Sequence, residues 1–142
     1  MIISSRGFRG LAVGVLLLVS ALGAYADEAL TARNKALVRE FYTAVFIKRN
    51  VDAAPRFLSP GYIQHSAHIP TGLKGFMDTF RPVFAQKPLP DYRRELLNVV
   101  GENDMVVIYV RQSGTDADGS HHLSAAFDMF RVQNGLITEH WD

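Results

Sequence analysis

The chain has 142 residues, one domain's worth, with 15 basic and 14 acidic residues and a net charge of +1. No basic run lies outside its first ten residues, so the charge pattern offers no footprint for nucleic acid. The absence of cysteine removes disulfides, thiol nucleophiles and thiolate metal sites together.

The first stretch reads as a leader. Met1–Gly10 carries Arg6 and Arg9 and no acid. Leu11–Gly23 is apolar except for Ser20, and Ala24-Tyr25-Ala26 puts small residues at the two positions a signal peptidase reads. This order predicts a secretory signal peptide over residues 1–26, Asp27 as the first mature residue, and a periplasmic or secreted protein. The apolar run is shorter than the ~20 residues needed to span a bilayer, so no stable membrane anchor is expected after cleavage. Cleavage takes Arg6 and Arg9, leaving 116 residues with 13 basic against 14 acidic groups. That length can bury a core without disulfides.

Leu30, Leu37, Val38, Phe41, Ala44 and Val45 recur at helical spacing among Arg33, Lys35, Arg39 and Glu40. They predict a long amphipathic helix from Leu30 to Lys48. A short helix over Val51–Leu58 stops at Ser59-Pro60. Tyr62–His65 reads as a brief extended piece, and Ser66–Thr71 as a loop holding His68 and Pro70. Leu73, Phe76, Met77, Phe80 and Phe84 make a second amphipathic helix, kinked or restarted at Pro82. From Pro90 the period changes to two. Asp91–Val100, Met105–Ser113, His121–Val132 and Ile137–Asp142 read as strands, separated by Glu102-Asn103-Asp104, Asp116-Ala117-Asp118-Gly119 and Asn134-Gly135. Short turns make successive strands antiparallel. Helices followed by a strand meander predict an α+β fold, a curved antiparallel sheet covered by helices that closes into a cone with an internal pocket. Leu37, Phe41, Phe76, Phe80, Val107 and Phe130 are its expected core or pocket wall.

The last hairpin carries the chemistry. Asp128, His140 and Asp142 lie among Phe127, Phe130, Val132, Ile137 and Trp141 around Asn134-Gly135, a strong hairpin signal. Ionisable groups in an apolar hairpin point to a cavity and to acid–base work. Register decides whether they meet. A two-residue loop pairs Val132 with Ile137 and sets Asp128 opposite Trp141. A three-residue loop, with Gly135 left-handed in a bulge, pairs Val132 with Leu136 and sets Asp128 opposite His140, with Asp142 on the same face. The second register gathers the polar groups on one side.

Two segments, YIQHSAHIPTGLKGF (Tyr62–Phe76) and FDMFRVQNGLITEHWD (Phe127–Asp142), resemble the SnoaL-like polyketide cyclase family of the nuclear-transport-factor-2-like superfamily. The resemblance covers the whole predicted mature chain, residues 27–142, and implies the cone-shaped α+β barrel. It favours the three-residue register. It also implies ring closure by an intramolecular aldol reaction, with no metal and no cofactor. The family's acid/base aspartate, two residues after the terminal-motif histidine, falls at Asp142. A partner position that is histidine in the best-known cyclases falls at Asp128, and a glutamine position two residues earlier falls at Ala126.

Asp128, His140 and Asp142 are therefore the candidate catalytic group, with Asp128 orienting the imidazole and His140 moving the proton. The alternative is a hydrogen-bonded pair that only braces the sheet. His65, His68, Tyr109 and Trp141 are candidate substrate contacts. For Tyr109 and Trp141 the competing role is core packing. His65 and His68 form an H-x-x-H on a loop, a weak zinc signal off a helix, and no metal is expected. Glu139 and Arg131 read as an exterior ion pair. Two functions stay open. One is an exported, cofactor-free lyase- or isomerase-type enzyme that abstracts a proton beside the carbonyl of a small apolar substrate. The other is a non-catalytic module on the same fold, binding a small molecule or another protein. A connected Asp–His pair with room beside it favours the first, and a cone filled with Phe and Met favours the second. The sequence does not fix the oligomeric state; the resembled fold often makes dimers through its exposed sheet face, so a homodimer is a candidate assembly.

Overall fold

A computed structural model of the protein describes residues 9–88, 91–116 and 118–142. Helix α1 spans Arg9–Tyr42. It is prolonged by one π turn over Thr43–Ile47, closed by the Lys48 amide on the Thr43 carbonyl at 3.0 Å. The expected helix ends where the pattern said but begins earlier, because Leu- and Ala-rich sequence continues helical without a breaker such as Pro. Most of the basic Met1–Gly10 segment of the expected leader lies outside the described residues. Among the described residues no helix is long and apolar enough to cross a membrane.

One face of α1 is buried through Asn34, Val38, Phe41, Tyr42 and, in the π turn, Val45. Asn34 is polar because it clips a turn. Its Nδ2 donates to the Asn103 carbonyl at 2.8 Å, while Thr31 Oγ1 accepts the Asn103 amide at 3.0 Å. A 3-10 turn over Val51–Arg56 stands where a short helix was expected, and β1 (Leu58–Gln64) follows it directly. Pro60 is tolerated there because β1 is an edge strand. Helix α2 is one helix, Gly72–Ala85, with Pro82 in its last turn.

The remaining strands are β2 (Arg93–Glu102), β3 (Met105–Thr115), β4 (His121–Gln133) and β5 (Leu136–Trp141). They form one curved, unclosed five-stranded sheet in the order β1-β5-β4-β3-β2. The meander β2 to β5 is antiparallel as expected, whereas β1 joins β5 in parallel. The helices cover the inner face. Val106, Ile108, Val110, Phe130, Val132 and Ile137 from that face pack with Val38, Phe41, Val45, Tyr62 and Phe76 into a single core. Leu37 and Phe80 are partly buried against it. Val107 corrects the expected core set. It lies between inward-facing Val106 and Ile108, so the strand period of two turns it to the outer face.

Candidate active site

A cavity of about 220 Å³ opens between the helices and the inner face of the sheet. Phe41, Phe46, Phe76, Phe80 and Phe130 wall it, with Ile69 from the loop before α2. Its polar lining is Tyr42, Tyr62, Gln64, Arg94, Gln112, Asp128, His140 and Asp142. The three expected catalytic residues therefore share one cavity.

They reach it by a register that neither simple hairpin provides. Asn134 and Gly135 both take positive φ, 52° and 76°, and form a two-residue turn that pairs Val132 with Ile137. Left alone, that register would send Asp128 and His140 to opposite faces. A bulge at Thr138 intervenes, since Val132 pairs with Ile137 but Arg131 pairs with Glu139 and Phe130 with His140. The extra residue restores the parity lost at the turn, because each one-residue slip exchanges the faces of a strand. Ile137 and His140, three apart, are consequently both buried. The three-residue turn is thus corrected, while the face it implied for Asp128, His140 and Asp142 holds. Asp128 lies diagonal to His140 rather than opposite it.

His140 is held on both sides. Its Nδ1 lies 2.8 Å from Gln64 Oε1, and its Nε2 lies 3.3 Å from Asp128 Oδ1. Gln64 Oε1 also accepts the Ser66 amide at 3.1 Å, which marks it as the oxygen end of the side chain. The Nδ1 atom must then carry a hydrogen and donate it. Nε2 and Oδ1 can bond only if a further hydrogen sits on one of them, so this contact holds a proton between imidazole and carboxyl. Gln64 joins Asp128 in orienting the ring, and it can do so because β1 runs parallel to β5 with Gln64 in register with His140. Phe130 packs on the imidazole at 4.8 Å.

Two phenols face this group. Burial pushes the Tyr62 hydroxyl far above the usual tyrosine range, and the carboxylates of Asp142 and Asp128 push it further. Burial raises Tyr42 to about 12, with Arg94 opposing and Asp128 adding to the rise. Both remain neutral hydrogen-bond donors at neutral pH.

Asp128, His140 and Asp142 also bring ligand atoms within 4.8 Å of one another, a donor set of two carboxylates and an imidazole that suits a divalent cation. Gln64 on the far ring nitrogen is the kind of outer partner such a histidine has.

The expected substrate contacts lie elsewhere. His65 stacks on Trp141 at 4.6 Å with the rings 5° from parallel, and its Nε2 meets Glu139 Oε2 at 3.0 Å. Both rings are on the outer face. Tyr62 is buried, and alternation then turns Gln64 inward and His65 outward. Trp141, one residue from inward-facing His140, follows the same rule, and Arg131 lies over it at 5.7 Å. Tyr109 stacks on Phe127 at 4.9 Å on that outer face. His68 is exposed, and its neighbour Ile69 lines the cavity instead. The Arg131–Glu139 ion pair forms as expected, at 2.7 Å.

Sequence reasoning missed Gln64, Arg94, Gln112 and both tyrosines. Gln64 was legible from the Tyr62/Gln64 alternation once Tyr62 is assigned to the core. Arg94 and Gln112 had no local signal, because they meet only through the β2–β3 register that pairs them.

An α+β cone with an aromatic cavity and a carboxylate–imidazole group on its sheet wall is a nuclear-transport-factor-2-like architecture. The family model for the SnoaL-like domain matches residues 38–140, and the chain belongs to that family. Among solved structures it is similar to TsrD from Streptomyces laurentii, at 22% identity and a TM-score of 0.63 over 78% of this chain and 86% of that one. It is also similar to a SnoaL-like protein assigned as a polyketide cyclase from Jannaschia sp. CCS1, at 19% identity and a TM-score of 0.64 over 78% and 84%. An epoxide hydrolase of Mycobacterium tuberculosis shares the fold at 12% identity and a TM-score of 0.58 over 78% and 80%. No curated protein matches the chain.

Proposed function

We propose that the protein is a cofactor-free acid–base enzyme of the polyketide-cyclase type, acting after export on a small carbonyl compound. The observation that carries this is the Gln64–His140–Asp128 chain with Asp142 beside it in an open aromatic cavity. Asp142 is the base, because its carboxylate is the most exposed of the three and neither histidine nitrogen is free to take a proton from carbon. It removes a hydrogen from the carbon next to the substrate carbonyl. The proton held between His140 Nε2 and Asp128 Oδ1 passes to the carbonyl oxygen as its charge develops. The enol so formed attacks a second carbonyl, returning its hydroxyl proton to the His140–Asp128 pair while Asp142 gives its proton to the new alkoxide, or it gives up that hydroxyl proton to the pair and takes the Asp142 proton at another carbon. Gln64 keeps the ring from turning away, and the neutral hydroxyls of Tyr42 and Tyr62 donate to the developing oxyanion. The Asp128–His140 separation is at the long end for a hydrogen bond, as is common before substrate tightens a site.

Export is supported by the order of basic, apolar and Ala-x-Ala segments over residues 1–26. A homodimer is supported by an outer sheet face that leaves Leu123, Phe127 and Leu97 exposed. The activity is tested by following exchange of carbon-bound hydrogen for deuterium in a panel of ketones and β-keto acids in heavy water. Wild-type protein should accelerate exchange in at least one, Asp142→Asn should lose it, and Asp128→Asn should lose most of it with the fold intact. Equal exchange in wild type and Asp142→Asn would overturn the assignment.

A further inference from the structure

The cavity has a second polar end that the proton-transfer group does not use. Arg94 on β2 points its guanidinium into the space, 5.2 Å from the Phe46 ring and 6.0 Å from the Tyr42 ring. Among the described residues no carboxylate pairs with it, and its Nε is buried without a hydrogen-bond partner. Its strand neighbour Gln112 is oriented to match. Tyr92 Oη donates to Gln112 Oε1 at 2.8 Å, which ties up the acceptor of the amide and leaves its NH₂ for the cavity. Among the described residues this end thus presents a cation and a neutral donor, with no acceptor facing the Arg94 Nε.

A buried cationic donor without an acceptor costs free energy, and an anionic ligand removes that cost. Arg is suited to it, since its fork meets a carboxylate with two parallel hydrogen bonds. Neighbouring aromatic faces hold the guanidinium in place without neutralising it.

Position relative to the proton-transfer group follows from register. Arg94 pairs with Gln112, Gln112 with Ser124, and Asp128 lies four residues farther along β4. That separation is roughly 13 Å along the strand, and two strand spacings add about 10 Å across the sheet. The side chains reach toward each other, and Tyr42 senses the charge of both Arg94 and Asp128. The cavity is therefore bipolar, with phenylalanines between.

We propose that the ligand is an amphipathic carboxylate whose anionic group is bound by Arg94 and Gln112 while its reacting carbon lies near Asp142 and His140. This rests on the reading of the cavity as a ligand site, and replaces a neutral apolar carbonyl compound with an anion carrying an apolar middle.

Matched probe pairs test it, octanoate with octanamide and cinnamate with cinnamamide, titrated by ligand-detected NMR. Wild-type protein should bind each carboxylate at least tenfold more tightly than its amide. Arg94→Met, which keeps an unbranched apolar side chain and removes the guanidinium, should erase the preference, and Arg94→Lys should keep part of it. Equal affinity for acid and amide in wild type would overturn the anion assignment while leaving the cavity as a binding site. A preference that survives in Arg94→Met would overturn the role of Arg94. Failure of every probe, acid and amide alike, would overturn the ligand-site reading itself and this inference with it.

Discussion

Phe41 is where packing and cavity meet, so its truncation tests both. The ring is 1% exposed and contacts Phe46, Phe57, Phe76 and Phe130 with centroids 5.8 to 6.0 Å away. Three of those contacts are edge-to-face or close to it, the favoured geometry for aromatic pairs. Truncation of a buried Phe to Ala costs about 3–5 kcal/mol. The ring already fronts the cavity, so part of the new void joins space that exists, and the lower half of that range is expected, ~3–4 kcal/mol. Against a total stability on the order of 5–15 kcal/mol, that is a large fraction. Urea unfolding of wild type and Phe41→Ala, followed by far-UV circular dichroism, reads the difference from the shift in midpoint at unchanged slope. The enlarged cavity should also bind the carboxylate probes less tightly. A loss under about 1 kcal/mol would refute the claim that α1 is locked to the sheet through this ring.

Three further outcomes follow from the same structure. Tyr42, raised from 10.0 to about 12, and Tyr62, raised further, hold their protons more tightly folded than unfolded. Their contribution is complete below the unfolded value near pH 10 and is lost as pH rises to about 12 and beyond, so alkaline ionisation of these two should coincide with unfolding. Tyrosinate absorbance that completes for Tyr42 and Tyr62 together with the other tyrosines near pH 10, with circular dichroism unchanged, would contradict this. Chelator treatment should leave deuterium exchange intact, and zinc should inhibit it by occupying Asp128, His140 and Asp142. Activity that returns only on adding metal would reverse the cofactor-free proposal. Light scattering should report a dimer for the wild type and a monomer for Phe127→Lys, and a monomeric wild type would remove the outer face as an interface.

Much of this architecture was legible because it rests on local periodicity. The apolar stripe through Val38, Phe41 and Val45, the Phe76/Phe80/Phe84 stripe and the four-strand meander announce themselves within short windows. The face shared by Asp128, His140 and Asp142 was legible too, although for an incomplete reason. A two-residue turn and a bulge at Thr138 reach the same parity as a three-residue turn, and nothing in Leu136–His140 marks the bulge. What stayed hidden depends on pairings far apart in sequence. The parallel seating of β1 on β5 put Gln64 on His140, and the β2–β3 register put Arg94 beside Gln112. His65 is a candidate substrate contact by its place in the Tyr62–Phe76 segment, but alternation from buried Tyr62 turns it outward.

The central claim is that Gln64 and Asp128 grip the two nitrogens of His140 so that a proton sits between Nε2 and Oδ1. Long-range proton–nitrogen NMR of histidine-labelled protein tests it most directly, with His140 assigned among five histidines through His140→Gln. The account predicts that Nδ1 carries hydrogen in wild type, that Gln64→Leu frees the ring to change tautomer, and that Asp128→Asn shifts Nε2 while leaving Nδ1 protonated. A bare Nδ1 in the wild type, or a His140 spectrum unmoved by Asp128→Asn, would contradict it.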